Sequence, residues 1–133
     1  MSMTGYNPHV LVVEDAPIKV DGVRLILEAD GYRVSIARDG ITALDIMRRD
    51  EPDAVILGIV IPGMSGREVC RRMREMSNTV RIIYWSRSVD KADSETLAQL
   101  GREADDIMGK LASIEEILAK VACVLNLTEQ TLL

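Results

Sequence analysis

The chain has 133 residues, 47% of them hydrophobic, which suits one domain with one core and argues against bulk disorder. Its net charge of -5 argues against the basic surface of a general nucleic-acid-binding protein. A single histidine, His9, excludes any mechanism that needs two, and the absence of Phe leaves the core to aliphatic residues and Met.

Residues 1–8 read as an irregular tail. Residues 9–14 (HVLVVE) predict a buried first strand, with Glu14-Asp15 at its end. Pro17 is acceptable in a first helical turn. Val20, Val23, Ile26 and Leu27 then recur at helical spacing up to Gly31, a natural stop. Residues 32–37 (YRVSIA) alternate, with Val34 and Ile36 on one face, as in a strand nearer the sheet edge. Asp39-Gly40 is a turn signal in which Asp39 can cap a helix. Ile41, Ala43, Leu44 and Met47 supply that helix, which ends near Asp50.

Residues 52–66 (PDAVILGIVIPGMSG) organise the chain. The short apolar run 54–57, bounded by turn residues, predicts a strand buried on both faces. Gly58 falls at its carboxyl end, the edge where open parallel α/β sheets build their sites. A basic helix follows over 67–76, with Val69, Cys70 and Met73 inward. Its Arg67, Arg71, Arg72 and Arg74 read as a solvated face rather than a nucleic-acid contact. Asn78-Thr79 makes a turn, and residues 80–85 (VRIIYW) predict a fourth strand.

Residues 86–90 read as a polar loop and 91–100 as a weaker helix, apolar mainly at Leu97 and Leu100. Residues 105–109 form a short fifth strand. Ser113 opens the last helix with Glu116 at capping-box spacing, and Ile114, Ile117, Leu118, Val121 and Leu125 form its apolar face. Residues 126–133 read as a tail or linker, which leaves 9–125 as the domain. Five strands alternating with five helices predict an α/β fold with parallel pairing and right-handed crossovers.

Cys70 and Cys123 read as two reduced, largely buried thiols of a cytosolic protein. No run is long enough to span a membrane, and the N-terminus lacks a signal-peptide pattern. The expected location is cytoplasmic.

The segment 52–66 resembles the centre of response-regulator receiver domains, and the resemblance extends from Val10 to about Leu125. Receivers carry an acidic pair after the first strand, where Glu14-Asp15 stands. They carry a Ser or Thr after the fourth strand, where Ser86 stands, and a lysine after the fifth, where Lys110 stands. Their third strand ends in the aspartate that accepts a phosphoryl group, with a proline four residues on and a glycine eight residues on. Pro62 and Gly66 keep that spacing, but position 58 is Gly. The resemblance implies a flavodoxin-like (CheY-like) three-layer sandwich with a five-stranded parallel sheet of order 2-1-3-4-5 and five helices.

In the family, carboxylates hold Mg²⁺, the metal neutralises the transferring phosphoryl group, and a hydroxyl and an ammonium bind its oxygens. The resemblance makes Asp15 the direct metal ligand, Glu14 an outer-shell one, and Ser86 and Lys110 the phosphoryl holders. Gly58 offers neither nucleophile nor metal oxygen. Asp53, five residues upstream, lies about 16 Å away along a strand and cannot substitute. Ser65 lacks the nucleophilicity of a carboxylate without an activating base.

Three further positions depart from the family. Arg87 stands where a small residue is usual, and Ile107 where an aromatic is common. Leu111 replaces the usual proline, so its bond to Lys110 should be trans, because a non-proline cis bond costs roughly 3 kcal/mol.

Glu14, Asp15 and Lys110 therefore read as an ion-paired cluster rather than a working metal site, with no metal or other cofactor expected. Ser86 reads as a loop hydroxyl or helix cap. Arg87 reads either as filling the vacated pocket and pairing with Glu14 or Asp15, or as a solvated loop residue.

The expected function is a non-enzymatic, phosphorylation-incompetent receiver-like module acting through protein–protein contact. Its expected partner is a histidine kinase or an effector domain, or a second copy through the fourth helix, fifth strand and fifth helix. The sequence leaves two alternatives open. One is an ordinary phosphoryl-accepting receiver whose acceptor was replaced, and the other is a small-ligand-binding α/β domain.

Overall fold

A computed structural model of the protein describes residues 7–87, 89 and 92–126. The strands are β1 (His9–Val13), β2 (Arg33–Ala37), β3 (Ala54–Gly58), β4 (Arg81–Ser86) and β5 (Asp106–Gly109). The helices are α1 (Pro17–Ala29), α2 (Gly40–Asp50), α3 (Gly66–Met76), α4 (Ser94–Glu103) and α5 (Ile114–Val124). All strand pairs are parallel, in the order β2-β1-β3-β4-β5. This is the expected flavodoxin-like sandwich.

Strand alternation divides the core in two. Leu11, Val13, Val55, Leu57, Ile82 and Tyr84 face α2, α3 and α4. Val10, Val12, Ile56, Ile83 and Trp85 face α1 and α5. With no Phe available, Met47, Met73 and Met108 are buried among these aliphatic side chains.

Local signals set most helix ends. The Asp39 carboxylate accepts from Thr42 N–H at 2.7 Å, and Ser65 and Ser113 cap α3 and α5 in the same way. Helix α1 ends in a left-handed Gly31 (φ 96°), with Tyr32 N–H bonded to Leu27 O and Gly31 N–H to Glu28 O. Leu27 and Tyr32 then pack in one cluster.

Helix α4 corrects the sequence-based boundaries, since it runs over Ser94–Glu103 rather than 91–100. Asp93 caps it by accepting from Thr96 N–H at 2.8 Å, so the first regular turn starts after that carboxylate. Leu100 is its one buried residue. Polar ties compensate at its C-terminal end. Glu103 accepts from Tyr84 Oη–H at 2.8 Å and pairs with Arg67, while Arg74 pairs with the adjacent Asp105.

Two further readings change. Ser86 is not a loop residue, because it is buried as the last residue of β4, in register with Gly109. Cys70 is buried but Cys123 is exposed, since the outer side of α5 carries it to solvent. Ser88, Asp90 and Lys91 of the expected loop and helix start, and residues 1–6 and 127–133 of the expected tails, lie outside the described residues.

The basic face of α3 is laced with ion pairs. Glu68 takes both Arg71 and Arg72, Glu75 takes Arg71, and Glu103 takes Arg67. Such exposed pairs each contribute roughly 0–1 kcal/mol.

Candidate functional site

The sheet brings its strand ends together. Register pairs Val13 with Leu57, Gly58 with Trp85, and Ser86 with Gly109. Glu14, Gly58, Ser86 and Lys110 consequently meet at the carboxyl edge. Glu14, Ser86, Arg87 and Lys110 line one small cleft of ≈ 230 Å³ there, together with Lys19, Val60 and Trp85. Asp15 is not among the lining residues and is exposed.

Glu14 is buried and its carboxylate is fully engaged. Oε2 accepts from Asp15 N–H at 2.9 Å and from Ala16 N–H at 3.1 Å, while Oε1 accepts from Lys110 Nζ. Both side chains of this ion pair are only 8% exposed. Burial raises the Glu14 carboxyl, but hydrogen bonds from Lys110 and Ala16 outweigh it and hold the group below its ordinary value. Burial lowers the Lys110 ammonium more than Glu14 raises it. Three donors converge on the Glu14 carboxylate.

The Lys110 Nζ also sits 3.5 Å from the centroid of the Trp85 ring, a cation–π contact that favours the charged form. Sequence reasoning passed over Trp85. The available signal was a lone Trp immediately before Ser86 at a strand's carboxyl end.

Gly58 ends β3 with its backbone fully covered. A Cβ added there would lie 3.1 Å from Val13 O, 3.2 Å from Ile61 Cγ2 and 3.4 Å from Glu14 Oε1. The space is therefore tight rather than open. Gly66 has a plainer reason to be glycine, since a Cβ there would lie 2.0 Å from Gly58 O. That approach lets Gly66 N–H bond Ile59 O at 2.8 Å and close the loop before α3.

Arg87 is exposed on the cleft rim, and no ion pair joins it to Glu14 or Asp15 among the described residues. The Lys110–Leu111 bond is trans, and Leu111 is 85% exposed. Asp53 lies at the opposite edge, where its Oδ2 accepts from His9 N–H at 2.8 Å.

These residues do not fit a Mg²⁺ site. A hard cation takes carboxylate and carbonyl oxygens. Gly58 supplies no side-chain oxygen, and Glu14 has given both of its own to N–H donors and an ammonium. Asp15 alone leaves a carboxylate at the solvent face.

The model of the response regulator receiver domain matches residues 10–122. The chain belongs to the response regulator receiver domain family. It is 35% identical over 121 residues to response regulator MprA of Mycobacterium avium, covering 91% of this chain and 52% of that protein. It is 34% identical over the same length to MprA of Mycobacterium leprae, with the same coverage. The chain thus spans about half the length of the curated relatives it matches. Among solved structures, the receiver domain protein (CheY-like) of Methanospirillum hungatei superimposes with a TM-score of 0.82 at 23% identity. That match covers 95% of this chain and 99% of the other.

Proposed function

We propose that this receiver domain signals by protein–protein contact and does not accept a phosphoryl group at its third-strand position. One observation carries the reading. Where the family's chemistry needs a carboxylate, Gly58 offers none, and the neighbouring acid Glu14 is closed by Lys110. A phosphoryl group entering the cleft would have to displace Glu14 from the Lys110 ammonium. The module binds no Mg²⁺ specifically and catalyses nothing of its own. It works in the cytoplasm against a histidine kinase or effector domain, or pairs with a second copy through α4, β5 and α5.

A specific observation favours a second reading, an ordinary receiver whose acceptor was replaced. Ser86 and Lys110 still line one cleft beside position 58, and Gly66 still closes the loop.

Intact-mass analysis tests the first reading. The chain is incubated with a small phosphoryl donor and Mg²⁺. No hydroxylamine-labile phosphoryl adduct is expected, and a stoichiometric adduct would overturn the reading.

A further inference from the structure

The cleft of ≈ 230 Å³ at the carboxyl edge carries more positive charge than the Glu14–Lys110 pair uses. Lys19, Arg87 and Lys110 line it against one carboxylate, Glu14. We propose that the cleft holds a small, doubly charged oxyanion on the Lys19 ammonium and the Arg87 guanidinium, without a covalent bond and without Mg²⁺.

The first reason is charge. Lys110 is matched by Glu14, but Lys19 and Arg87 have no ion pair among the described residues. This sets them apart from the arginines of α3, because Arg67, Arg71, Arg72 and Arg74 each meet an acid. A cleft lined by one sign of charge concentrates the opposite ion, and two unmatched cations call for a dianion. Burial chiefly lowers the Lys110 ammonium, and the Lys19 charge lowers it further. An anion beside Lys19 would relieve that repulsion.

The second reason is hydrogen bonding. Glu14 has given both carboxylate oxygens to donors of the chain itself. The Lys19 ammonium and the Arg87 guanidinium can only donate, and the guanidinium fork matches two oxygens of a carboxylate or a phosphate. Trp85 also lines the cleft, and its buried indole N–H has no hydrogen-bond partner among the described residues. A buried donor without an acceptor is costly, and an oxyanion brings lone pairs. The third reason is size. The cleft falls below the roughly 300–1,000 Å³ of pockets that enclose drug-sized ligands, so it suits a small ion rather than a nucleotide. Lys19 is half-buried and Arg87 exposed, so the ion enters from solvent. The inference goes beyond the proposed function, because it needs neither an acceptor at position 58 nor an opening of the Glu14–Lys110 pair.

The test is an NMR titration read at the indole N–H of Trp85, the one tryptophan of the chain. The 133-residue chain, in EDTA and at a pH where both probes are doubly charged, is titrated separately with sodium phosphate and sodium succinate. Sodium chloride of matched ionic strength is the control. The indole signal should shift saturably with an oxyanion and not with chloride. Lys19→Gln and Arg87→Gln should each weaken the binding about tenfold, since each removes one charge-assisted contact. Lys19→Arg should retain it. Saturation by phosphate alone, by succinate alone or by both supports the site and names the oxyanion it takes. No saturable shift beyond that of chloride would overturn the proposal, as would parent-like affinity in either glutamine variant. Inorganic phosphate donates no phosphoryl group and EDTA removes Mg²⁺, so a failure here is distinct from the appearance of a phosphoryl adduct.

Discussion

Lys110 Nζ donates to Glu14 Oε1 across the carboxyl edge of the sheet, joining residues 96 apart in sequence in a nearly water-free ion pair. The pair ties the loop after β5 to the end of β1 and holds Glu14 Oε1 3.4 Å from where a Cβ on Gly58 would lie. Removing one partner leaves the other buried and charged, which is the expensive way to break such a pair. Lys110→Met should therefore lower stability by about 3 kcal/mol. The double variant Glu14→Gln/Lys110→Met should recover most of that loss, because neither charge remains to be solvated. Urea midpoints of the three variants check both expectations. An unchanged midpoint for Lys110→Met would mean that the ammonium contributes nothing to holding the two ends together.

His9 gives the fold a pH dependence with a definite sign. Burial lowers its folded value below 6.5 and the Arg33 charge lowers it further, against Asp50 and Asp53. Its Nε2 is 2.6 Å from Ser35 Oγ, while the buried Nδ1 has no hydrogen-bond partner among the described residues. A group whose folded value is lowered binds fewer protons in the folded chain than in the unfolded one. Its contribution is therefore complete above pH 6.5 and is lost as pH falls from there toward the folded value. Glu14, also lowered, adds a loss that begins lower, as pH falls through 4.5. Urea midpoints between pH 7.5 and 5 should fall, and His9→Gln should flatten that fall. Equal slopes for the two proteins would remove His9 as the cause.

Gly66→Ala should destabilise strongly. The new methyl would lie 2.0 Å from Gly58 O and 2.7 Å from Ile59 Cα, both backbone atoms that cannot rotate away. Overpacking of this kind costs roughly 1–3 kcal/mol, and the shortest contact puts the expected loss at about 3 kcal/mol. A thermal scan reads it, and a melting temperature equal to that of the parent would show that the loop relaxes freely.

Much of this architecture was legible in the residues because it rests on local rules. The strand run 54–57, the caps Asp39, Ser65 and Ser113, and the Gly31 stop each rest on one or two side chains and their own backbone. What escaped depends on partners far apart in sequence. The Asp93 cap moved α4, and a helix that buries only Leu100 has too little apolar periodicity to mark its own ends. Trp85 became part of the site only because β4 lies beside β5, which puts the Lys110 ammonium over its ring. The engagement of Glu14 was foreseeable as a cluster with Lys110. That two backbone N–H groups complete its coordination was not, because that depends on how the chain turns after β1.

Restoring the family's acceptor is the sharpest test of how far the cleft has closed. Gly58→Asp would place its Cβ 3.1 Å from Val13 O, 3.2 Å from Ile61 Cγ2 and 3.4 Å from Glu14 Oε1, so β3 must shift by a few tenths of an ångström to accept it. The new carboxylate would face Glu14, a like charge, and would compete for Lys110. Phosphoryl transfer to an aspartate depends on position and charge neutralisation, and a misplacement of about 1 Å costs on the order of 10²-fold in rate. Gly58→Asp treated with a small phosphoryl donor and Mg²⁺ should therefore label slowly or not at all. Arg87 is exposed on the rim, so Arg87→Ala should add little. Glu14→Asp, which shortens the side chain that holds Lys110, should speed labelling of Gly58→Asp. The readout is the hydroxylamine-labile mass increase with time. Rapid, near-complete labelling of Gly58→Asp alone would show that the cleft needs only its nucleophile, and would establish the second reading, an ordinary receiver that lost one side chain.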